Sequence, residues 1–305
     1  IKLIEQAKKS GVDAVKFQTF DTNYYINKSE EERYAKLRKF ELSQKEFKKL
    51  SEYTKKKGLK FISTPFDKAS AKFLSKIVDV FKISSGDNNF YELIKYCASF
   101  KKPMIISTGM INIEEIRKML KMLKKIKFPN KKLALLHCIS DYPANDSEAN
   151  LLSIKYLKDK LPVTIGYSDH VIGFESCLVA ASFGAKIIEK HFTLDNYFSN
   201  FRDHLISLNP KDMRQMILSL RRVENMIGRY NKQISKSEKK NISSTRRSIY
   251  FNTNLKKGTI LKNKHLKIVR PYVNFEPKDL LKILGKKINK DVQDSELVTS
   301  KILKN

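Results

Sequence analysis

The chain has no run near the ~18 consecutive apolar residues that a bilayer-crossing helix needs, so no membrane role is expected of it. Cysteine is scarce. Cys97, Cys138 and Cys177 stand at unrelated spacings and make neither a disulfide framework nor a zinc motif, which points to the reducing cytoplasm. No signal peptide is visible at Ile1, where the chain opens inside an amphipathic helix carried by Ile1, Leu3, Ile4 and Ala7. Acid is in short supply as well: 32 Asp and Glu against 61 Lys and Arg leave a formal net charge of +29. The lysines are spread along most helical stretches (KKLSEYTKKK, RKMLKMLKKIK, KYLKDK) and do not form one stripe with interleaved aromatics. That distribution disfavours a nucleic-acid partner, whereas an anionic small substrate fits the field.

What is present suffices for a large domain and a small one: 305 residues, 41% of them hydrophobic. Strand patterns at 13–19, 60–64, 79–84, 103–107, 132–138, 162–166 and 185–192 alternate with helical ones. The helices are the opening one, one started by the capping box Ser43–Glu46, and those at 68–77, 90–100, 113–125, 147–160, 173–183 and 210–228. A polar excursion through Tyr34 interrupts the series early. Repeating strand–helix units imply an α/β fold with a parallel sheet, and a closed (β/α)8 TIM barrel takes eight strands. Seven strands led by a helix imply a barrel whose first strand is missing from this sequence. An open doubly wound sheet is disfavoured, because polar residues sit at nearly every strand end and not at one switch point. The barrel is expected over 1–230, a polar linker over 231–245, and a small β-rich domain over 246–305 with a weak internal repeat, LKKGTILKNKHL against INKDVQDSELVTSKIL.

The strand ends carry the chemistry. Lys16 and Gln18 share one face of their strand, with Val15 and Phe17 on the other. Further ends supply Thr64; Lys82, Ser84 and Ser85; Ser107 and Thr108; His137 and Ser140; Ser168, Asp169 and His170; Glu189 and His191. Two lysines and several hydroxyls converging on one barrel face make a site for an oxyanion, most naturally phosphate plus carboxylate. Neighbouring strand ends lie about 5 Å apart, which brings His170 and His191 within reach of one metal ion with positions left open.

In order, KFQTF, STPFD, KISSGD, STGM, HCISDYP, IGYSDH and EKHFTLD resemble the sialic acid synthase family, and the tail RRSIY…KKGTIL…RP looks like its antifreeze-like (SAF) domain. The resemblance implies an enzyme that condenses phosphoenolpyruvate with an N-acylated mannosamine-type sugar, giving a nine-carbon 2-keto sugar acid and phosphate with the help of Mn2+ or Mg2+. It implies Lys16, Lys82, His191 and Tyr142 as catalytic. Thr64, Ser85, Ser107, Ser140 and Ser168 would join the lysines on phosphoenolpyruvate, and Gln18, Asp87, Tyr142 and Asp203 would face the sugar. His170 and His191 would hold the metal. Arg270 matches an arginine that reaches the partner's barrel, implying a domain-swapped homodimer. The family's first-strand segment (AEIGxNHxG-like) has no counterpart, so activity is expected to depend on a strand ahead of Ile1. NFRDH (200–204) stands for the commoner PGPDH, Asp87 for the glutamate of SGE, and RPYVNFEP for RPGxGI. A neuraminate-type product is the leading expectation, with legionaminate and pseudaminate as the alternatives within the family. Outside it stand a Schiff-base barrel aldolase and a basic nucleic-acid-binding protein.

Overall fold

A computed structural model of the chain describes residues 1–199 and 201–304, without the side chain of Arg202. It divides into two units, Ile1–Gly228 and Arg229–Asn305.

The first unit is a single parallel sheet wrapped by helices. Its strands are β1 (Ala14–Thr19), β2 (Lys60–Pro65), β3 (Val80–Ile83), β4 (Met104–Ser107), β5 (Leu133–Cys138), β6 (Thr164–Asp169) and β7 (Ile188–Lys190). They pair in simple chain order, each step moving one strand the same way. A doubly wound sheet would reverse that order at a switch point. The sheet is curled: Lys16 on β1 and Glu189 on β7, the two outermost strands, come within 3.4 Å across its inner face. Beyond β7, Phe192 makes one parallel bridge to Leu208.

Alternation along the strands sorts residues into two layers. Outward-facing Phe61, Phe81, Ile83, Met104, Ile106, Leu135, Ile165 and Tyr167 pack against Leu74, Leu93, Ile94, Met119 and Ile154 of the helices in the main core. Phe61 and Phe81 are wholly buried there, and each contributes roughly 2–3 kcal/mol by leaving water. Inward-facing Ile105, Ala134 and Leu136, with Ile62, Val80 and Ile187, form a small apolar floor inside the curl. Gly166 lets that floor close, since a Cβ would stand 2.5 Å from Ile187 O and 2.6 Å from Leu136 Cδ2.

Helix boundaries follow the caps. The helix Ile113–Lys125 begins where the sequence places it, because Asn112 accepts from Glu114 and Glu115 N–H while Glu115 reaches back to the Asn112 N–H. The polar excursion holds two helices, Thr22–Tyr25 and Glu31–Phe40. The segment expected as a linker is largely a helix too, Lys236–Thr245, started by a capping box of Ser235 and Glu238. No residue of Glu31–Phe40 or Lys236–Thr245 is buried, which is why apolar periodicity did not mark them.

The second unit has two antiparallel pairs, β8 (Ser248–Phe251) with β9 (Leu266–Val269) and β10 (Lys287–Ile288) with β11 (Leu303–Lys304). Ile249, Phe251, Leu261, Ile283, Ile288, Val292 and Val298 make its core. The two repeat segments meet there: Leu255 and Val292 exchange N–H···O bonds of 3.0 and 2.9 Å. No helix among the described residues is long and apolar enough to cross a membrane.

Candidate active site

Above the apolar floor the inner face turns polar. Lys16 Nζ on β1 and Lys82 Nζ on β3 each lie 3.4 Å from Glu189 Oε1. Ser168 on β6 donates to the same oxygen at 2.8 Å, and Lys82 donates to Ser107 Oγ on β4 at 2.7 Å. Four strands and the edge strand β7 thus converge on one cluster, in which two ammonium groups share one carboxylate. Burial opposes the Glu189 charge, but Lys16 and then Lys82 overcome it and hold the carboxyl well below the usual carboxylate range. Burial lowers the Lys82 ammonium from its ordinary value, with Glu189 acting against the shift. One positive charge is left over for an incoming anion.

Beside the lysines lies a cradle. Gly109 carries no side chain, and a Cβ there would lie 2.3 Å from Ser140 Oγ and 2.8 Å from Ser85 Oγ. The Gly109 N–H donates to Ser85 Oγ at 3.1 Å. Asn88, buried, fixes this turn by donating to Gly109 O at 2.9 Å and Ser107 O at 3.3 Å. Ser140 Oγ is buried without a hydrogen-bond partner. An orphan hydroxyl costs about 1–3 kcal/mol, and a bound anion would satisfy it.

The histidine pair stands at the ends of β6 and β7. The His170 and His191 ring centroids are 5.4 Å apart, with planes at 68°. His170 Nδ1 lies 2.6 Å from Ile139 O, which puts the proton on Nδ1 and leaves the Nε2 lone pair free. The Tyr142 ring packs on His170 at 4.1 Å and edges His191 at 6.0 Å. His191 Nδ1 is 3.8 Å from Asp203 Oδ2. Burial lowers both imidazoles. For His191, Lys16 and His170 add to it and bring the value to about 3; for His170 the Ile139 carbonyl works against burial. Both rings are therefore neutral at pH 7, the form that ligates metals. Among the described residues no group of three or more His, Cys, Asp or Glu is arranged as a metal site. Two neutral imidazoles, one with its second nitrogen tied to a carbonyl, nevertheless fit a divalent ion completed by water or substrate.

The other expected residues are placed as follows. Thr64 is buried at the end of β2, in register with Gln18, which is exposed on the Lys16 face of β1. Asp87 accepts a hydrogen bond from Ser84, and burial raises its carboxyl, opposed by Ser84 and Lys82. Asp203 is described; Asn200 and the Arg202 side chain of the same NFRDH segment lie outside the described residues. Arg270 belongs to the second unit, where it is exposed and donates through Nε to Thr245 O at 2.6 Å.

Two strand-end residues do not face the cluster. His137 points outward, stacks on Tyr167 at 5.9 Å, and its Nε2 lies 2.8 Å from Ala149 O. Asp169 also points outward and pairs with Lys190 at 2.7 Å. Both alternate with inward neighbours, Leu136 or Ser168, and parity decides their side. Conversely, Glu189 and Gly109 are more central than their place in the sequence suggests. Glu189 was legible through its parity with His191. Nothing in STGM announced how close the two serines approach Gly109.

A profile of the NeuB family matches residues 3–232. An uncharacterized protein of Methanocaldococcus jannaschii is 40% identical over 298 residues, covering 97% of this chain and 87% of that protein. The N,N'-diacetyllegionaminic acid synthase of Campylobacter jejuni is 36% identical over 311 residues, covering 97% and 93% respectively. Among solved structures, the sialic acid synthetase of Leptospira borgpetersenii in complex with citrate is similar with TM-score 0.74 and 34% identity, over 79% of this chain and 83% of that one.

Proposed function

The chain belongs to the NeuB family, and on that premise we propose that it is a nonulosonic acid synthase joining phosphoenolpyruvate to an N-acylated mannosamine-type sugar. The observation that carries this reading is the pair of ammonium groups sharing Glu189 beside two neutral, adjacent imidazoles. Phosphoenolpyruvate brings a carboxylate and a phosphate. Lys16 and Lys82 offer charge for one, and the Ser85–Gly109–Ser140 cradle offers hydrogen bonds for the other. A divalent ion, Mn2+ or Mg2+, held by His170 and His191 would polarise the aldehyde carbonyl of the open-chain sugar. C3 of phosphoenolpyruvate then bonds to the aldehyde carbon. Water adds at C2, and the C2–O bond breaks to release phosphate and leave the 2-keto acid. Lys16 and Lys82 stabilise the departing anion, a contact worth roughly 2–4 kcal/mol each by analogy with single oxyanion donors. Tyr142, packed on His170, holds that ring and faces the sugar with Gln18, Asp87 and Asp203.

The finer assignments belong to the same reading: an SAF-like role for the second unit, Arg270 acting on a partner copy in a domain-swapped homodimer, and work in the cytoplasm. Phosphate release from phosphoenolpyruvate, run with the sugar precursors of neuraminic, legionaminic and pseudaminic acids and followed by mass spectrometry, tests the function and selects the product. Release with none of them would refute it.

A Schiff-base aldolase is the second reading, because Lys82 is buried and its ammonium lowered. The ion pair with Glu189 works against that lowering and the 2.7 Å bond to Ser107 engages the nitrogen, which argues against it. Borohydride trapping of a substrate adduct on Lys82 would favour the aldolase.

A further inference from the structure

The residues just before the two histidines form a second pair on the far side of the sheet wall. Asp169 and Lys190 are register partners of β6 and β7, and their outward side chains meet at 2.7 Å with 0% and 1% exposure. Every charge there is satisfied. Asp169 Oδ1 accepts from Tyr167 Oη at 2.7 Å and from the Val171 N–H at 3.0 Å. Asp169 Oδ2 accepts from Lys190 and, at 3.3 Å, from Cys177 Sγ. Lys190 also donates to Val171 O. Val171 follows His170, so its N–H is held by Asp169 and its C=O by Lys190. The His170 carbonyl is held in turn by Ala144 N–H at 3.0 Å.

A buried ion pair is a poor way to gain stability, since apolar replacements of similar volume are often neutral or better. This one does something an apolar pair cannot: it fixes the peptide after one histidine from the residue that precedes the other. We propose that Asp169 and Lys190 are positioning residues that set the separation and aim of the His170 and His191 rings for a divalent cation. The inference rests on the metal reading given above. Neither residue touches the inner face, and their influence runs through the backbone.

The test is Mn2+ binding to the full chain, without substrate, by calorimetry and by the electron paramagnetic resonance of the bound ion. Lys190→Met leaves Asp169 unpaired; the double variant Asp169→Asn/Lys190→Met removes both charges and leaves none buried alone. Removing an outer partner of a metal ligand typically weakens binding 10–100-fold, and a loss of at least tenfold is expected in whichever variant folds. Phosphoenolpyruvate binding to the metal-free protein should stay within twofold of wild type, because the lysine cluster is untouched. A folded variant that binds Mn2+ as wild type does would overturn the inference alone. So would parallel losses of Mn2+ and phosphoenolpyruvate binding, or failure of both variants to fold, since the pair would then serve the fold generally. Absence of Mn2+ binding in wild type would overturn the metal reading and this inference with it.

Discussion

Replacing Lys82 by Met removes one ammonium from the cluster at nearly constant side-chain volume. At the observed 3.4 Å from Glu189, the lost attraction is about 5 kcal/mol at an effective dielectric near 20. Lys82 is 2% exposed, so its own desolvation penalty disappears with it, and Lys16 still faces Glu189, so the net loss of stability should fall below the ~3–5 kcal/mol typical of breaking a buried pair. The effect on chemistry is larger in kind. The cluster falls from one surplus positive charge to none, and a contact of ~2–4 kcal/mol to the departing phosphate is gone, so kcat/KM for phosphoenolpyruvate should drop roughly 30- to 1000-fold. Phosphate release gives that ratio, and thermal unfolding shows that the variant is folded. The decisive comparison adds Glu189→Gln and the double variant. Groups within one ion-paired cluster couple by roughly 0.5–3 kcal/mol, so the stability changes of Lys82→Met and Glu189→Gln must fail to add. A folded Lys82→Met protein with kcat/KM within threefold of wild type, or additive stability changes, would refute the reasoning.

The same geometry makes further expectations. Glu189 titrates below its unfolded value, so its contribution is full above about pH 4.3 and declines as pH falls below it; Glu189→Gln should flatten the acid limb of stability measured by denaturant melts between pH 3 and 7. Gly109→Ala drives a methyl onto Ser140 and Ser85 Oγ, and phosphate release should fall about 100-fold or more while the circular dichroism spectrum is kept, the size expected for one lost oxyanion donor. Chelation of divalent ions should abolish turnover and Mn2+ should restore it, with His170→Ala unable to recover under the same addition. Burial raises the Cys97 thiol to about 12 and also raises Cys138 and Cys177; alkylation at pH 8 should therefore be slow on the native protein and accelerate together with unfolding in urea.

Much of this arrangement was written in local sequence, and the reasons for the exceptions are physical. A strand announces itself by alternation, and alternation also says which side a residue faces. Alternation puts Lys16 and Gln18 on one face, as in the structure, whereas only polarity and nearness to a strand end group His137 and Asp169 with them. Their parity placed them outside, where a stacked ring and a buried ion pair receive them. Helices were legible where one face is buried, as in Ile113–Lys125, and illegible where none is, as in Glu31–Phe40 and Lys236–Thr245.

What no local pattern carries is the closure of the curl. Glu189 becomes central only because β7 and β1, separated by the whole sheet, bring it to Lys16 while β3 brings Lys82 from another side. In the sequence the glutamate of IIEKHF is one polar strand-end residue among many, and only the company of two lysines makes it the shared counter-ion of the cluster. The same logic separates the two faces of the β6–β7 wall. Inside, Ser168 and Glu189 belong to the lysine cluster and His170 and His191 pair beside it; outside, Asp169 and Lys190 meet each other, Tyr167, Cys177 and the Val171 backbone. On the proposed function, adjacent residues in SDH and EKH divide the labour by parity, one facing the chemistry and its neighbour holding the geometry. An inner residue can be exchanged at a cost read in turnover, an outer one at a cost read in how well the inner pair is aimed.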